Sequence, residues 1–214
     1  MFRHLQVMAF AAFAVTILGG EARTHPHVWV SVKSEVVYAP DGSATAVQHH
    51  WTFDEMFSTM AVQGMDTKKP GGLTREDLAQ LAELNVTSLK DFDFFTFAKA
   101  DGKKPEFTEP KEYWLEHKDG ALTLHFTLPF KQPVKAKKLE FEIYDTSYFV
   151  DFVLLQKDPV ALVGAPAQCK LAARGARENA AAPQQQMSES FFEQLAAGSN
   201  FGSQFANRIS VSCP

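Results

Sequence analysis

The 214 residues contain only two cysteines, Cys169 and Cys213, and neither lies in a Cys-x-x-Cys pattern. That spacing argues against a dithiol redox centre or a reactive thiol. Basic residues are in no excess, 21 Lys and Arg against 25 Asp and Glu for a net charge of −4. The chain therefore carries no electrostatic footprint for nucleic acid or an anionic membrane. The sequence has no Gly-x-Ser-x-Gly, His-Glu-x-x-His or phosphate-binding loop, so the reaction classes those motifs carry have no anchor here. It also has no internal repeat. An apolar run at residues 7–18 is too short to span a bilayer, and no later segment qualifies.

That short run has another use. Arg3 precedes it, and Gly20-Glu21-Ala22 follows with small residues at cleavage positions, the pattern of a secretion signal cut after Ala22. Export to the periplasm is the expected address. In an oxidising compartment two cysteines most simply form one disulfide, Cys169 to Cys213. Phenylalanine is abundant at 19 residues, which favours buried aromatic packing on strands.

Just past the expected cut lies Thr24-His25-Pro26-His27-Val28-Trp29-Val30. On a strand His25, His27, Trp29, Ser31 and Lys33 share one face, and Pro26, Val28, Val30 and Val32 share the other. The valines belong against a core. The two imidazoles then stand on the open face, roughly 7 Å apart at Cα, within reach of one transition-metal ion.

Residues 27–38 and 44–53 read as a hairpin about Pro40-Asp41-Gly42-Ser43. A two-residue turn at Asp41-Gly42 places Lys33 opposite His50, Ser31 opposite Thr52 and Trp29 opposite Asp54. Asp54 is then diagonal to His27 and a candidate third ligand, or an acceptor that orients an imidazole. His49 points to the face opposite His50, and the pair is read as structural or surface.

Asp54 and Glu55 open a helix whose Met56, Phe57, Met60 and Ala61 read as a core stripe. Residues 66–77 outline a calcium loop, but Lys68 and Pro70 stand where oxygen ligands belong. Thr74 and Asp77 instead form a capping box for a helix over 75–85. Strands are expected at 92–99, 113–117, 121–130, 138–143 and 149–155. His125 stands alone on the polar face of one of them and is given no role. Asp145, within Tyr144-Asp145-Thr146-Ser147-Tyr148, is either a turn-former bonding its own backbone or a metal ligand.

The expected fold class is α+β: a mainly antiparallel, sandwich-like sheet with a helical insertion. Its organisation is a signal (1–22), a β-rich domain (23–174) with the insertion at 54–90, and a flexible Ala/Gln connector (175–186). A C-terminal helix and strand (187–214), packed on the main domain, are tied by the disulfide.

Several of these pieces together resemble one family. They are His25-Pro26-His27-Val28-Trp29, Trp51-Thr52-Phe53-Asp54-Glu55, Asp91-Phe92-Asp93-Phe94-Phe95 and Phe126-Thr127-Leu128-Pro129. Tyr144-Asp145, Tyr148-Phe149 and the cysteine pair complete the set, which covers nearly all of the chain beyond the signal. The family is that of exported proteins of unknown function described as periplasmic components of uncharacterised ABC-type transport systems, often encoded beside nickel/cobalt or zinc permeases. The resemblance implies a metal-handling accessory of an inner-membrane permease, with the His-Pro-His motif as its site. His25 and His27 are then the ligands, Asp54 and Asp145 further candidates, and nickel, cobalt, zinc or copper the ion. Two other readings stand beside it: a metal-dependent hydrolase using His-x-His, and a structural protein docking on a permease without metal.

Overall fold

Valines at every second position make the first strand. The computed structural model describes residues 26–66, 70, 72–176 and 200–214. The expected signal, His25, the connector beyond Ala176 and the helix expected after Ser188 lie outside these residues. In β1 (Val28–Tyr38) Val28, Val30, Val32 and Val36 are buried and Trp29 and Ser31 face outward, as the alternation predicts.

There follow β2 (Ala44–Phe53), α1 (Glu55–Ala61), α2 (Ala79–Leu89), β3 (Thr96–Ala100), β4 (Tyr113–Lys118) and β5 (Ala121–Val134). Then come β6 (Lys138–Ile143), β7 (Val150–Leu154), β8 (Val160–Val163), β9 (Lys170–Arg174) and β10 (Asn207–Ser212). Mostly β-sheet, the described residues form two sheets. One has the order β4-β5-β2-β1-β7, with β8 also paired to β1; the other is β3-β6-β10-β9. β7 and β8 run parallel to β1 along successive stretches of it, Val28–Val32 and Ser34–Val37. The other pairings are antiparallel. The buried faces of both sheets contribute to one hydrophobic cluster that includes Trp51, Phe95, Phe126, Phe141 and Phe152.

The β1–β2 register is the expected one, with Lys33 opposite His50 and Ser31 opposite Thr52. The turn is not. Gly42 N–H donates to the Ala39 carbonyl and Ala39 N–H to the Ser43 carbonyl, so Pro40-Asp41 form the corner. Proline fixes φ and has no N–H, which suits the second position of a turn and not a paired flank. Gly42 takes φ +80 beyond it, and an irregularity between Val37 and Tyr38 restores the register.

Two other expectations change. The strand expected from residue 92 starts at Thr96, because a 3-10 helix, Lys90–Phe95, continues α2. Within it Asp93, Phe94 and Phe95 have φ of 51, 51 and 47°, a left-handed turn. Such backbone costs roughly 1–2 kcal/mol per residue. Burial of the Phe94 and Phe95 rings, worth roughly 1.5–3 kcal/mol each, offsets it. Secondly, Met56 and Met60 are not core: they are 58% and 59% exposed. Phe57 and Ala61, one residue further round the helix, make the packing contacts, and Ser58 is buried beneath them. The Thr74/Asp77 capping bonds do form, Thr74 N–H to Asp77 Oδ2 at 2.7 Å and Asp77 N–H to Thr74 Oγ1 at 3.3 Å, although regular helix begins only at Ala79.

Cys169 and Cys213 are bridged. The bridge closes against β10, which lies inside its sheet between β6 and β9. Asn207, fully buried at the start of β10, joins the two sheets. Its Nδ2 donates to the carbonyls of Ile143 in β6 and Phe152 in β7, and its Oδ1 accepts from Ala176 N–H.

Candidate functional site

The sequence-derived site lies where β1 and β7 begin side by side and α1 starts. His27 is exposed, its ring is stacked on Phe149 at 4.7 Å, and its backbone N–H donates to the Phe149 carbonyl. His25, two residues earlier, lies outside the described residues.

The two acidic candidates are committed to the backbone. Asp54 is the N-cap of α1: Oδ1 accepts from Phe57 N–H at 2.9 Å and Oδ2 from Trp29 N–H at 3.0 Å. A carboxylate there satisfies a helix-end amide and faces the positive end of the dipole. Asp145 is buried and does what a turn-forming aspartate does. Its Oδ1 accepts from Ser147 N–H and Oγ–H, both at 2.9 Å, and its Oδ2 from Val150 N–H at 3.0 Å. Asp54 thus fixes the backbone beside His27, and Asp145 fixes the loop that carries Phe149.

A second histidine site appears on the open face of the larger sheet. Pairing across four strands sets Lys33, His50, His125 and Trp114 in one row. His50 Nδ1 and His125 Nδ1 are 2.6 Å apart. Trp114 stacks face to face on His125 at 4.7 Å and 8°, and the Arg75 guanidinium lies 4.0 Å above the Trp114 ring. Glu116 Oε2 is 3.5 Å from His125 Nε2.

Glu116, an acceptor only, is the charged group beside His125 Nε2, so we assign the His125 hydrogen to Nε2, and His50 Nδ1–H then donates to His125 Nδ1. Burial pushes the His125 pKa down, helped by His50 and opposed by Glu116. Burial also lowers that of His50, with Glu35 opposing and Lys33 reinforcing the shift. Both shifts favour the neutral rings. Among the described residues no three His, Cys, Asp or Glu side chains form a group that would hold a metal.

His49 turns the other way and is fully buried. Thr96 Oγ1 donates to the Phe94 carbonyl at 2.8 Å, so it accepts from His49 Nε2–H at 3.2 Å. His49 Nδ1 then accepts from Ser34 Oγ at 2.9 Å, and the imidazole ties β1 of one sheet to β3 of the other. Burial, reinforced by His50, pushes its pKa from 6.5 to about 3. Below pH 6.5 the unfolded chain takes up this proton and the folded chain does not, so stability is lost as pH falls from 6.5 toward 3. Between pH 7 and 5 the loss from His49 is about 2 kcal/mol. Denaturant unfolding of wild type and His49→Gln at both pH values should differ in pH dependence by about that amount; equal dependence would contradict the assignment.

Sequence reasoning missed the His50–His125 pair because those residues are 75 apart in the chain. Only the β2–β5 register joins them. The one available signal was that both fall on polar faces of alternating strands.

The family described as protein of unknown function (DUF1007) matches residues 10–213. An uncharacterised 15.5 kDa protein in the trpE 3' region of Spirochaeta aurantia is 29% identical over 102 residues, which are 47% of this chain and 73% of that protein.

Proposed function

The chain belongs to the DUF1007 family, whose function is unknown, and from that premise we propose an exported, periplasmic protein that binds a divalent transition metal as accessory to an inner-membrane uptake permease. The observation that carries this reading is the setting of His27. It is exposed where the chain enters β1, directly after Thr24-His25-Pro26, and its ring is braced by Phe149.

His25 and His27 are the ligands in this reading. Asp54 and Asp145, with their oxygens on backbone amides, act by positioning Trp29 and the loop that carries Phe149 beside His27. A donor set dominated by nitrogen suits nickel, copper, cobalt or zinc better than magnesium or calcium. Cleavage after Ala22 leaves Arg23-Thr24-His25 with a free amine. That amine, two backbone amides and the His25 imidazole then supply four nitrogens in a plane, the geometry that favours Cu(II) and Ni(II). Binding there releases protons, so affinity rises with pH.

Copper and nickel titrations followed by visible absorption test this directly. The chain beginning at Arg23 should give the band of a planar nitrogen site, and one extra residue ahead of Arg23 should abolish it. Unchanged binding in the extended chain would eliminate the planar geometry. Unchanged binding after His25→Ala with His27→Ala would eliminate the motif as a metal site.

A second reading, docking on a permease without metal, is favoured by Trp29 on β1, Phe149 just before β7, and Met56 and Met60 on α1, which are 42%, 46%, 58% and 59% exposed. Under it Trp29→Ser with Phe149→Ser removes function, and the histidine substitutions do not.

A further inference from the structure

We propose that His50 and His125 form a second transition-metal site, separate from the His25/His27 motif, in which one divalent ion of the cobalt-to-zinc group sits between the two Nδ1 atoms. The geometry points to a ligand pair and not to ordinary polar surface. Two imidazole nitrogens converge at 2.6 Å on the open face of the sheet. Ion and ring nitrogen bond at about 2.0–2.1 Å, so a shared ion needs the nitrogens only somewhat further apart. Rotation of half-buried rings supplies that opening.

The surroundings are those of an oriented ligand. Histidines that bind metals present their other ring N–H to a carboxylate, which fixes the tautomer and makes the ligating nitrogen more basic. Glu116 stands at His125 Nε2 in that relation, at 3.5 Å. In the present arrangement His125 Nε2 is a buried nitrogen without a well-formed hydrogen bond. Rotation of His125 about its ion would bring that N–H into line with Glu116. Trp114, stacked on His125 and itself covered by Arg75, limits the ring's tilt.

The protons balance without an external partner. In the metal-free pair His50 holds its hydrogen on Nδ1 and donates it to His125. When the ion takes both Nδ1 lone pairs, that hydrogen moves through solvent to His50 Nε2 and both rings remain neutral. Two protein ligands leave the remaining positions to solvent. Such a site binds weakly and exchanges quickly, which suits transfer of an ion more than its storage.

The experiment uses the full exported chain and zinc or cobalt ions alone as probes. A variant with His25→Ala and His27→Ala should still bind one Zn(II) per chain, measured by calorimetry. Adding His50→Gln or His125→Gln to it should remove that binding, and adding Glu116→Gln should weaken it roughly 10–100-fold. Retained zinc stoichiometry in the His50→Gln form would overturn the proposal, as would no zinc binding in the His25/His27 variant. A readout on the unmutated chain guards against a folding defect. Two-dimensional ¹⁵N spectra of the histidine rings should show Co(II) broadening at His50 and His125 Nδ1; unaffected rings at saturating Co(II) would overturn it. Loss of the His25/His27 motif alone changes neither result, so the two sites fail separately.

Discussion

Gly202→Ala should destabilise the folded chain by about 3 kcal/mol or more, lowering the melting temperature by roughly 10 °C for a chain of this size. A Cβ at that position would stand 1.6 Å from the Asp145 carbonyl oxygen and 2.8 Å from its carbon. Both are backbone atoms, so no side chain can swing aside. The Asp145 loop cannot retreat cheaply either. Its carboxylate holds Ser147 and Val150, and Gly202 N–H donates to the Thr146 carbonyl. Tyr148, in the same loop, stacks on Phe205 at 3.9 Å. A methyl group therefore forces apart the segment that starts β7 and the one that leads into β10. Gly175→Ala is the control, since its Cβ meets only Asn207 Oδ1 at 3.9 Å, an ordinary contact. Thermal unfolding by circular dichroism should separate the two variants clearly. Equal melting temperatures would contradict the close approach.

Removing the disulfide should cost about as much by a different route. The bridge spans 44 residues of sequence, and the chain-entropy estimate for a loop of that length is about 4 kcal/mol. The tie also holds a strand the second sheet cannot do without. β10 pairs with both β6 and β9, and it carries the fully buried Val211 and Asn207. Cys169→Ser with Cys213→Ser should lower unfolding free energy by about 4 kcal/mol in urea, with the wild type falling to the same level under reductant. A reductant-insensitive wild type, or two free thiols in the non-reduced mass spectrum, would contradict this.

Much of the first sheet was legible in the sequence. Alternation in Val28-Trp29-Val30-Ser31-Val32 and in Leu122-Thr123-Leu124-His125-Phe126 fixes which face is buried, because a one-residue slip would expose every apolar side chain. The β1–β2 register was reached from a two-residue turn at Asp41-Gly42; it holds although that turn does not, because Pro40 moves the corner and the irregularity between Val37 and Tyr38 compensates. The bridge was legible from two cysteines and the expected export. What was hidden depended on tertiary context. Burial of Phe94 and Phe95 holds a left-handed turn that local propensity disfavours. Met56 and Met60 had the period of a core stripe, but the short α1 buries only a narrow face. Asp54 and Asp145 could be read as ligands because capping and ligation use the same carboxylate, and only the positions of nearby amides tell the two apart.

The central claim is that this chain holds transition metal through histidine at the start of β1. It is tested most directly by equilibrium dialysis of the purified chain beginning at Arg23 against Cu(II) and Ni(II), with the His25→Ala/His27→Ala form in parallel. The account predicts that the wild type holds one more tightly bound ion per chain than the variant, while magnesium and calcium bind neither. Equal occupancy in the two forms would contradict it.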